Sequence, residues 1–438
     1  MAIKTLLKSI LNVNYIKINN IEFDSITQSV FIYVEMTKGK KHRCPICNKK
    51  CSGYDSTTKS RKWRSLDFGS CKVFIVADVC RISCEDHGVL TEAVPWAYHH
   101  SNFTKEFEEQ IAYLAIHLNK TEVSKIMRIA WNTVGEILSR TRNRLEPDYK
   151  IRFKNLKRIG VDETSYRKGH KYVTVVVDHD TNQIIWVHDG HDKETLKIFM
   201  EELTIEQRES IELVSGDGAR WLKSCIDEYL PNAKFCIDGY HVVSWTIEAM
   251  DTLRKELWHD DKTNKRNSPK RRKGRPSKDE TVVKTNPKFK KSYKYALGKN
   301  PENLSKYQTD CLYEIKEIYP KLFRGYQLKE GLRLIFKQPK DEVKEALDKW
   351  LSWARRSQIK PFVELYKKIK RHYDAIIATT EYNLSNARIE SMNNKIKVLI
   401  RQSYGFRNIE NMIDMIMIVC SNLSSKIKLP YQTRIKEA

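Results

Sequence analysis

The 438-residue sequence predicts a multidomain α+β protein. Three observations carry that reading. The chain exceeds the usual size of a single hydrophobic core, so several domains are expected. Six of its ten cysteines lie between Cys44 and Cys84, a clustering that suggests metal ligation rather than disulfides. Between Arg158 and Val243, three adjacent strand patterns are followed by strand, helix and strand, which indicates a mixed α/β sheet.

Each segment has its own pattern. The opening "MAIKTLLKSILNVNYIKINN" reads as an amphipathic helix without a small-residue cleavage site, and no run of eighteen apolar residues occurs anywhere, so a cytoplasmic protein with no membrane span is expected. Residues 12 to 36 alternate apolar and polar positions, placing a β-rich segment in residues 1–40, and the cysteine-rich module follows over 41–97. Residues 98–150 carry three helical stretches with tight joints. The strand-rich part covers 151–245, helix formers fill 246–375, and 376–438 is helical again.

The charge points to a polyanionic partner. Lys and Arg number 79 against 55 Asp and Glu, a formal +24, which favours nucleic acid over an acidic membrane. Residues 262–294 hold 14 Lys or Arg against two acids and form a basic arm. Within it Arg271, Arg272, Lys273 and Arg275 are candidate DNA contacts, and Gly274-Arg275-Pro276 suits an extended segment lying in a narrow minor groove. A solvated loop is the plain alternative.

Cys44-x-x-Cys47 and Cys84-x-x-His87 each place two soft ligands on a turn, the arrangement that holds one tetrahedral, structural Zn²⁺. Cys51 or Cys80 could replace one of the four, and a reduced, metal-free cluster is the alternative. Beyond it, "LNKTEVSKIMRIAWNTVGEILSRTRNRL" has helix-turn-helix anatomy, with a second helix capped near Asn132 or Thr133 and Val134, Ile137 and Leu138 on one apolar face. Asn132 and Thr133 then face a major groove, and Arg140 and Arg142 face phosphates. Simple packing of two helices is the competing reading.

Carboxylates end several of the core strands. Asp162 and Glu163 stand in "IGVDE", and Asp217 ends "IELVSGD". Glu390 shares a helix face with Asn393, Asn394, Lys397 and Arg401, opposite Ile389, Met392, Ile396 and Leu399. Singly, such acids are turn residues or solvated helix positions. Together, Asp162, Asp217 and Glu390 make a set for two Mg²⁺ or Mn²⁺ ions roughly 4 Å apart. Asp238-x-x-His241, at the end of "KFCID", is open to three readings: a catalytic pair, a metal site, or a strand-end Asp with a hydrogen-bonded core His.

In order along the chain, "RCPIC", "CEDHGVLTEAVPWA", "GVDETSYRKGHKYVTVVVD", "SGDGARW", "LPNAKFCIDGYHVV" and "NARIESMNNKIKVLIRQSYGFRN" resemble the DDE transposases of bacterial insertion sequences in the ISL-three family. The resemblance covers nearly the whole chain. It implies an RNase H-like catalytic core interrupted by a mainly helical insertion, here about residues 246 to 375. It also implies Asp162, Asp217 and Glu390 as catalytic residues, Cys44, Cys47, Cys84 and His87 as zinc ligands, and Glu163, Asp238 and His241 in support. The implied activity is binding of terminal inverted repeats in double-stranded DNA, then metal-dependent cleavage and strand transfer by a homo-oligomer. A DNA-binding regulator with an inactive core and a nuclease without joining activity are the alternatives.

Overall fold

The computed structural model describes residues 3–55, 59–267, 289–382, 384 and 387–429. They fall into two compact units, Met1–Ile151 with Lys395–Ala438, and Arg152–Asn394.

The first unit begins with helix α1 (Ile3–Leu11) and strands β1 (Ile16–Asp24), β2 (Ser29–Met36), β3 (Ser52–Gly53), β4 (Lys59–Phe68), β5 (Cys71–Val79), β6 (Arg81–Cys84) and β7 (Gly88–Thr91). They form a four-stranded sheet in the order β1-β2-β5-β4 and a three-stranded sheet in the order β3-β6-β7. The β-rich segment and the cysteine module are therefore interleaved, where consecutive segments 1–40 and 41–97 were expected. The reason is the period-two pattern of β5, whose Val73, Ile75, Ala77 and Val79 are buried with Ile16, Ile18, Ile32, Val34 and Trp63 and must join the first sheet to reach that core.

Three helices follow, α2 (Lys105–His117), α3 (Lys120–Met127) and α4 (Trp131–Leu145). Thr104 caps α2 by accepting from Phe107 N, and Asn119 caps α3 by accepting from Glu122 N. Arg128 ends α3 in the left-handed region (φ 52°), and its guanidinium pairs with Asp67, which also receives buried Arg64. That triad ties the β4–β5 hairpin to the turn before α4. The first turn of α4 follows Ala130 with no side-chain cap, so Asn132 and Thr133 lie inside the helix rather than capping it.

The second unit carries β8 (Arg158–Arg167), β9 (Lys171–Asp178), β10 (Gln183–Asp189), α5 (Lys193–Glu202), α6 (Ile205–Ser210), β11 (Leu213–Gly216), α7 (Arg220–Tyr229) and β12 (Lys234–Ile237). The sheet order is β10-β9-β8-β11-β12; β8, β9 and β10 are antiparallel neighbours, while β11 runs parallel to both β8 and β12. Parallel pairing aligns Val214 with Ile159 and Phe235 with Val214, so β8, β11 and β12 end on the same side.

Helices α8 (Gly239–Asn267), α9 (Tyr293–Gly298), α10 (Lys306–Ile318), α11 (Pro320–Ile335), α12 (Lys340–Arg356), α13 (Lys360–Arg371) and α14 (Tyr373–Tyr382) continue the unit. The first of them starts at Gly239, ahead of the boundary expected near 246, because Asp238 initiates it: its carbonyl accepts from Val242 N, and its Oδ1 from Tyr240 N at 3.0 Å. His241 thus stands on a helix rather than a strand. Trp186, Phe199 and Leu222 of the α/β part share one core with Leu253, Leu328 and Trp350 of the helical part. Thr379 Oγ1 returns to Ile237 O at 2.9 Å, fastening α14 to the end of β12.

Two further helices follow, α15 (Ala387–Gln402) and α16 (Ile409–Cys420). From Lys395 onward the chain groups with the first unit, so only the part to Asn394 stays with the α/β unit, where all of 376–438 was expected. Helix α16 has Met412, Ile413, Met415, Ile416, Met417 and Ile418 buried on nearly every side, and α4 supplies part of that cover. Arg142 Nη1 of α4 meets Asp414 Oδ1 at 2.7 Å. Arg271, Arg272, Lys273 and Arg275 lie outside the described residues. Among the described residues no helix is long and apolar enough to cross a membrane.

Candidate catalytic centre and DNA-binding elements

In the first unit, the turn after residue 43 and the β6–β7 turn bring Cys44, Cys47, Cys84 and His87 together, with all four ligand atoms within 4.8 Å of one another. Cys47 Sγ lies 3.7 Å from Cys84 Sγ, and His87 Nδ1 lies 3.8 Å from Cys44 Sγ and 3.6 Å from Cys84 Sγ. Those separations match the edges of a tetrahedron with Zn–S near 2.3 Å and Zn–N near 2.0 Å, about 3.5–3.8 Å. Three thiols and an imidazole are also the donors Zn²⁺ favours. The His87 contact brings the Cys84 thiol down to about 6, towards the thiolate that ligation needs. Cys51 falls outside the set; its Sγ donates to Lys49 O at 3.4 Å. Cys80 also falls outside it.

At the start of α4, Asn132 is exposed and Thr133 is partly exposed. Val134, Ile137 and Leu138 are buried, as the apolar face requires. Arg140 and Arg142 do not offer themselves to phosphates: Arg140 Nη2 binds the buried carboxylate of Glu108 at 2.6 Å, and Arg142 binds Asp414. Glu108 and Asp414 are buried acids that require cationic partners, and these two arginines supply them. Farther along the chain, Asn394, Lys397 and Arg401 are exposed on α15. A hollow of about 570 Å³ in the same unit is lined by Lys40, Arg43, Arg61 and Lys105 beside Tyr15 and Trp63. Its cations are dispersed along the sequence, and no run of charge announces it.

In the second unit, Asp162 and Glu163 occupy β8 opposite Val175 and Thr174 of β9, and Asp217 follows β11 directly. Burial raises the Glu163 carboxyl to about 8, and the charges of Asp217 and Asp162 add to the rise. Three carboxyl groups thus stand level on adjacent strands, with the proton of Glu163 retained near neutral pH until a cation displaces it, a donor set that suits a hard divalent cation. Asp217 Oδ1 also accepts from Ala219 N at 2.9 Å, which starts the turn into α7.

The helix carrying Glu390 meets β8 at close range. A Cβ on Gly160 would stand 2.1 Å from Ile389 Cδ1, so only glycine admits this approach. One turn beyond Glu390, Asn393 Nδ2 donates to Asp162 Oδ2 at 2.7 Å, and Glu163 N donates to Asp162 Oδ1 at 2.9 Å. Asn393 is buried, although the helical period alone sets it on the polar face with Glu390. Glu390 is partly exposed, and the carboxylates of Asp162, Asp217 and Glu390 are not among the ligand groups drawn within 4.8 Å in the described residues.

Several neighbours of Asp217 carried no signal in the sequence. Gly218 lies against the Trp245 ring, Lys368 Nζ stands 3.9 Å over that ring, and the ring of His372 is 5.8 Å from it. Burial lowers the Lys368 ammonium and the His372 imidazolium, with the charge of Asp217 opposing both shifts. Lys368 and His372 lie more than 150 residues after Asp217 in the sequence, and their positions follow only from the packing of α13 on α8. His241 Nε2 is buried without a hydrogen-bond partner among the described residues.

A zinc-type module, a helical DNA-binding element and an acid-bearing α/β unit define the class of an insertion-sequence transposase, and comparison with known proteins agrees. A profile described as the zinc-finger of transposase IS204/IS1001/IS1096/IS1165 matches residues 40–87, and one for the helix-turn-helix domain of transposase family ISL3 matches 92–141. A third, described as transposase, matches residues 159–416. Transposases for insertion sequence element IS1557 from two Mycobacterium tuberculosis strains are 43% identical over 382 residues, covering 86% of this chain and 85% of each relative. The transposase for IS1001 from Bordetella parapertussis is 28% identical over 390 residues, covering 87% and 89%. This chain belongs to the ISL3 family of insertion-sequence transposases.

Proposed function

We propose that the protein binds the terminal inverted repeats of its element as double-stranded DNA, cleaves there, and joins the freed ends to target DNA. The observation that carries this reading is the contact of Asn393 with Asp162, which draws the helix of Glu390 onto the strand of Asp162. In this reading Asp162, Asp217 and Glu390 hold two Mg²⁺ or Mn²⁺ ions in an RNase H-like core, and helices α8 to α14 are its insertion. When bound, such ions activate an attacking oxygen and neutralise charge on the leaving one. Asn393 fixes the rotamer of Asp162, with Glu163 on β8 and Asp238 and His241 at the start of α8 in support. Asn132 and Thr133 read bases, while Lys397, Arg401 and Asn394 contact the backbone. The zinc set Cys44, Cys47, Cys84 and His87 shapes the module preceding the helix-turn-helix. Synapsis of two ends requires a homo-oligomer.

A strand-transfer assay with end-bearing DNA and Mg²⁺ tests the assignment. Asp162→Asn, Asp217→Asn and Glu390→Gln should each lower joining roughly 1000-fold while leaving end binding intact. Normal joining by Asp217→Asn would remove it from the set, and cleavage without joining by the native protein would favour a nuclease.

A further inference from the structure

We propose that His42, Cys80 and Glu92 form a second metal site, which takes one Zn²⁺ and keeps an open fourth position. None of the three belongs to the Cys44, Cys47, Cys84 and His87 set. They come from separate stretches of chain: His42 precedes the first cysteine pair, Cys80 stands between β5 and β6, and Glu92 directly follows β7.

The geometry is that of ligands rather than chance neighbours. Cys80 Sγ lies 3.5 Å from His42 Nδ1 and 3.2 Å from Glu92 Oε1, and one ligand atom from each residue lies within 4.8 Å of the other two. A tetrahedral Zn²⁺ with bonds of about 2.0–2.3 Å has edges near 3.5 Å. The orientation is held by the backbone: His42 N donates to Glu92 Oε2 at 2.8 Å, and Cys80 N donates to Glu92 Oε1 at 3.0 Å. Carboxylate and thiol are thereby presented together before any ion arrives.

Burial adds a second argument. Cys80 is 9% exposed and Glu92 7%, and among the described residues Glu92 has no Lys, Arg or His in an ion pair. A buried carboxylate facing a thiol and an imidazole, with two amide donors and no ion pair among the described residues, is better compensated by a divalent ion. On binding, the Cys80 thiol releases its proton to solvent, and the S–H to Glu92 contact gives way to sulfur and oxygen bonds to the same metal. Thiolate, imidazole and carboxylate are a borderline-soft set, which selects zinc over magnesium. Three protein ligands leave the fourth position to water or an incoming donor, as in open rather than closed zinc sites.

The site would clamp the entry to the cysteine turn, the β5–β6 junction and the segment leading to α2. Untagged full-length protein, equilibrated with zinc sulfate and desalted, should retain two zinc ions per chain by elemental analysis. His42→Ala and Cys80→Ser should each retain one, with chelator competition losing its weaker phase. Cobalt substitution supplies an independent readout: His42→Ala should lose one set of visible bands and keep the thiolate charge-transfer of the three-cysteine site. One zinc per chain in the native protein, or two in a folded His42→Ala variant, would overturn the proposal. His42 is partly exposed, so that variant remains informative where Cys80→Ser fails to fold.

Discussion

Asn393 donates its Nδ2 to Asp162 Oδ2 at 2.7 Å, across 231 residues of sequence. It places the helix of Glu390 against a central strand. Outer partners of metal-binding carboxylates commonly contribute 10- to 100-fold. Asn393→Ala should therefore lower strand joining by roughly 10-fold or more, with end binding unchanged in a gel-shift assay. An equal loss of binding would mean that Asn393 serves the fold alone.

Gly160 and Ile389 test the same junction from the apolar side. Gly160→Ala puts its methyl against Ile389 Cδ1, and overpacking of this kind costs about 1–3 kcal/mol. Denaturant unfolding should register that loss, and Gly160→Ala combined with Ile389→Val should recover part of it. Additive losses in the double variant would refute direct contact.

Arg142 and Lys397 should separate stability from DNA binding. Arg142→Ala leaves Asp414 largely buried without its partner and should cost about 1–3 kcal/mol of stability. Exposed Lys397→Ala should leave stability unchanged and reduce the logarithmic salt slope of DNA binding by about 1. The opposite pattern would restore Arg142 as a phosphate contact.

His179 is 1% exposed, with Nε2 at 2.7 Å from Ser215 Oγ. Burial, then the charge of Arg388, brings its imidazolium down to about 4 from 6.5. Between those values the unfolded chain binds more protons, so the stabilisation present above pH 6.5 declines as pH falls towards 4. This one group contributes at most ~1.4 kcal/mol per pH unit. Urea unfolding at pH 7 and pH 5 should show a shallower pH dependence in His179→Gln than in the native protein. Identical slopes would exclude His179 as a source.

Zinc removal should act locally. Cys44→Ser should lower zinc content by at least one ion and open the β3-β6-β7 sheet to proteolysis, because so small a core contains few apolar residues besides Ile82 and Leu90. Retained zinc and unaltered proteolysis would exclude Cys44 from the ligand set.

Local pattern was legible where the chemistry is local. Cys44-x-x-Cys47 and Cys84-x-x-His87 converge because a two-residue spacing already brings each pair to one face of a turn. Strand alternation announced β1 and β2, short apolar runs announced β8 to β12, and the 3.6-residue period announced α2, α3, α4 and the buried Ile389, Ile396 and Leu399. Order along the chain, with those motifs, was enough to identify the ISL3 family.

Partnership across long separations belonged to the tertiary structure. A helical wheel puts Asn393 beside Glu390 in water, yet the close approach permitted by Gly160 buries it on Asp162. Arg140 and Arg142 read as phosphate contacts because a sequence cannot show that Glu108 and Asp414 lie beside them in low dielectric. Cys80 looked like a substitute zinc ligand, yet in the fold its thiol faces His42 and Glu92 and stays outside the set of Cys44, Cys47, Cys84 and His87. Side-chain type and spacing establish what each residue is able to do; burial and the neighbour supplied by folding decide which capability is used.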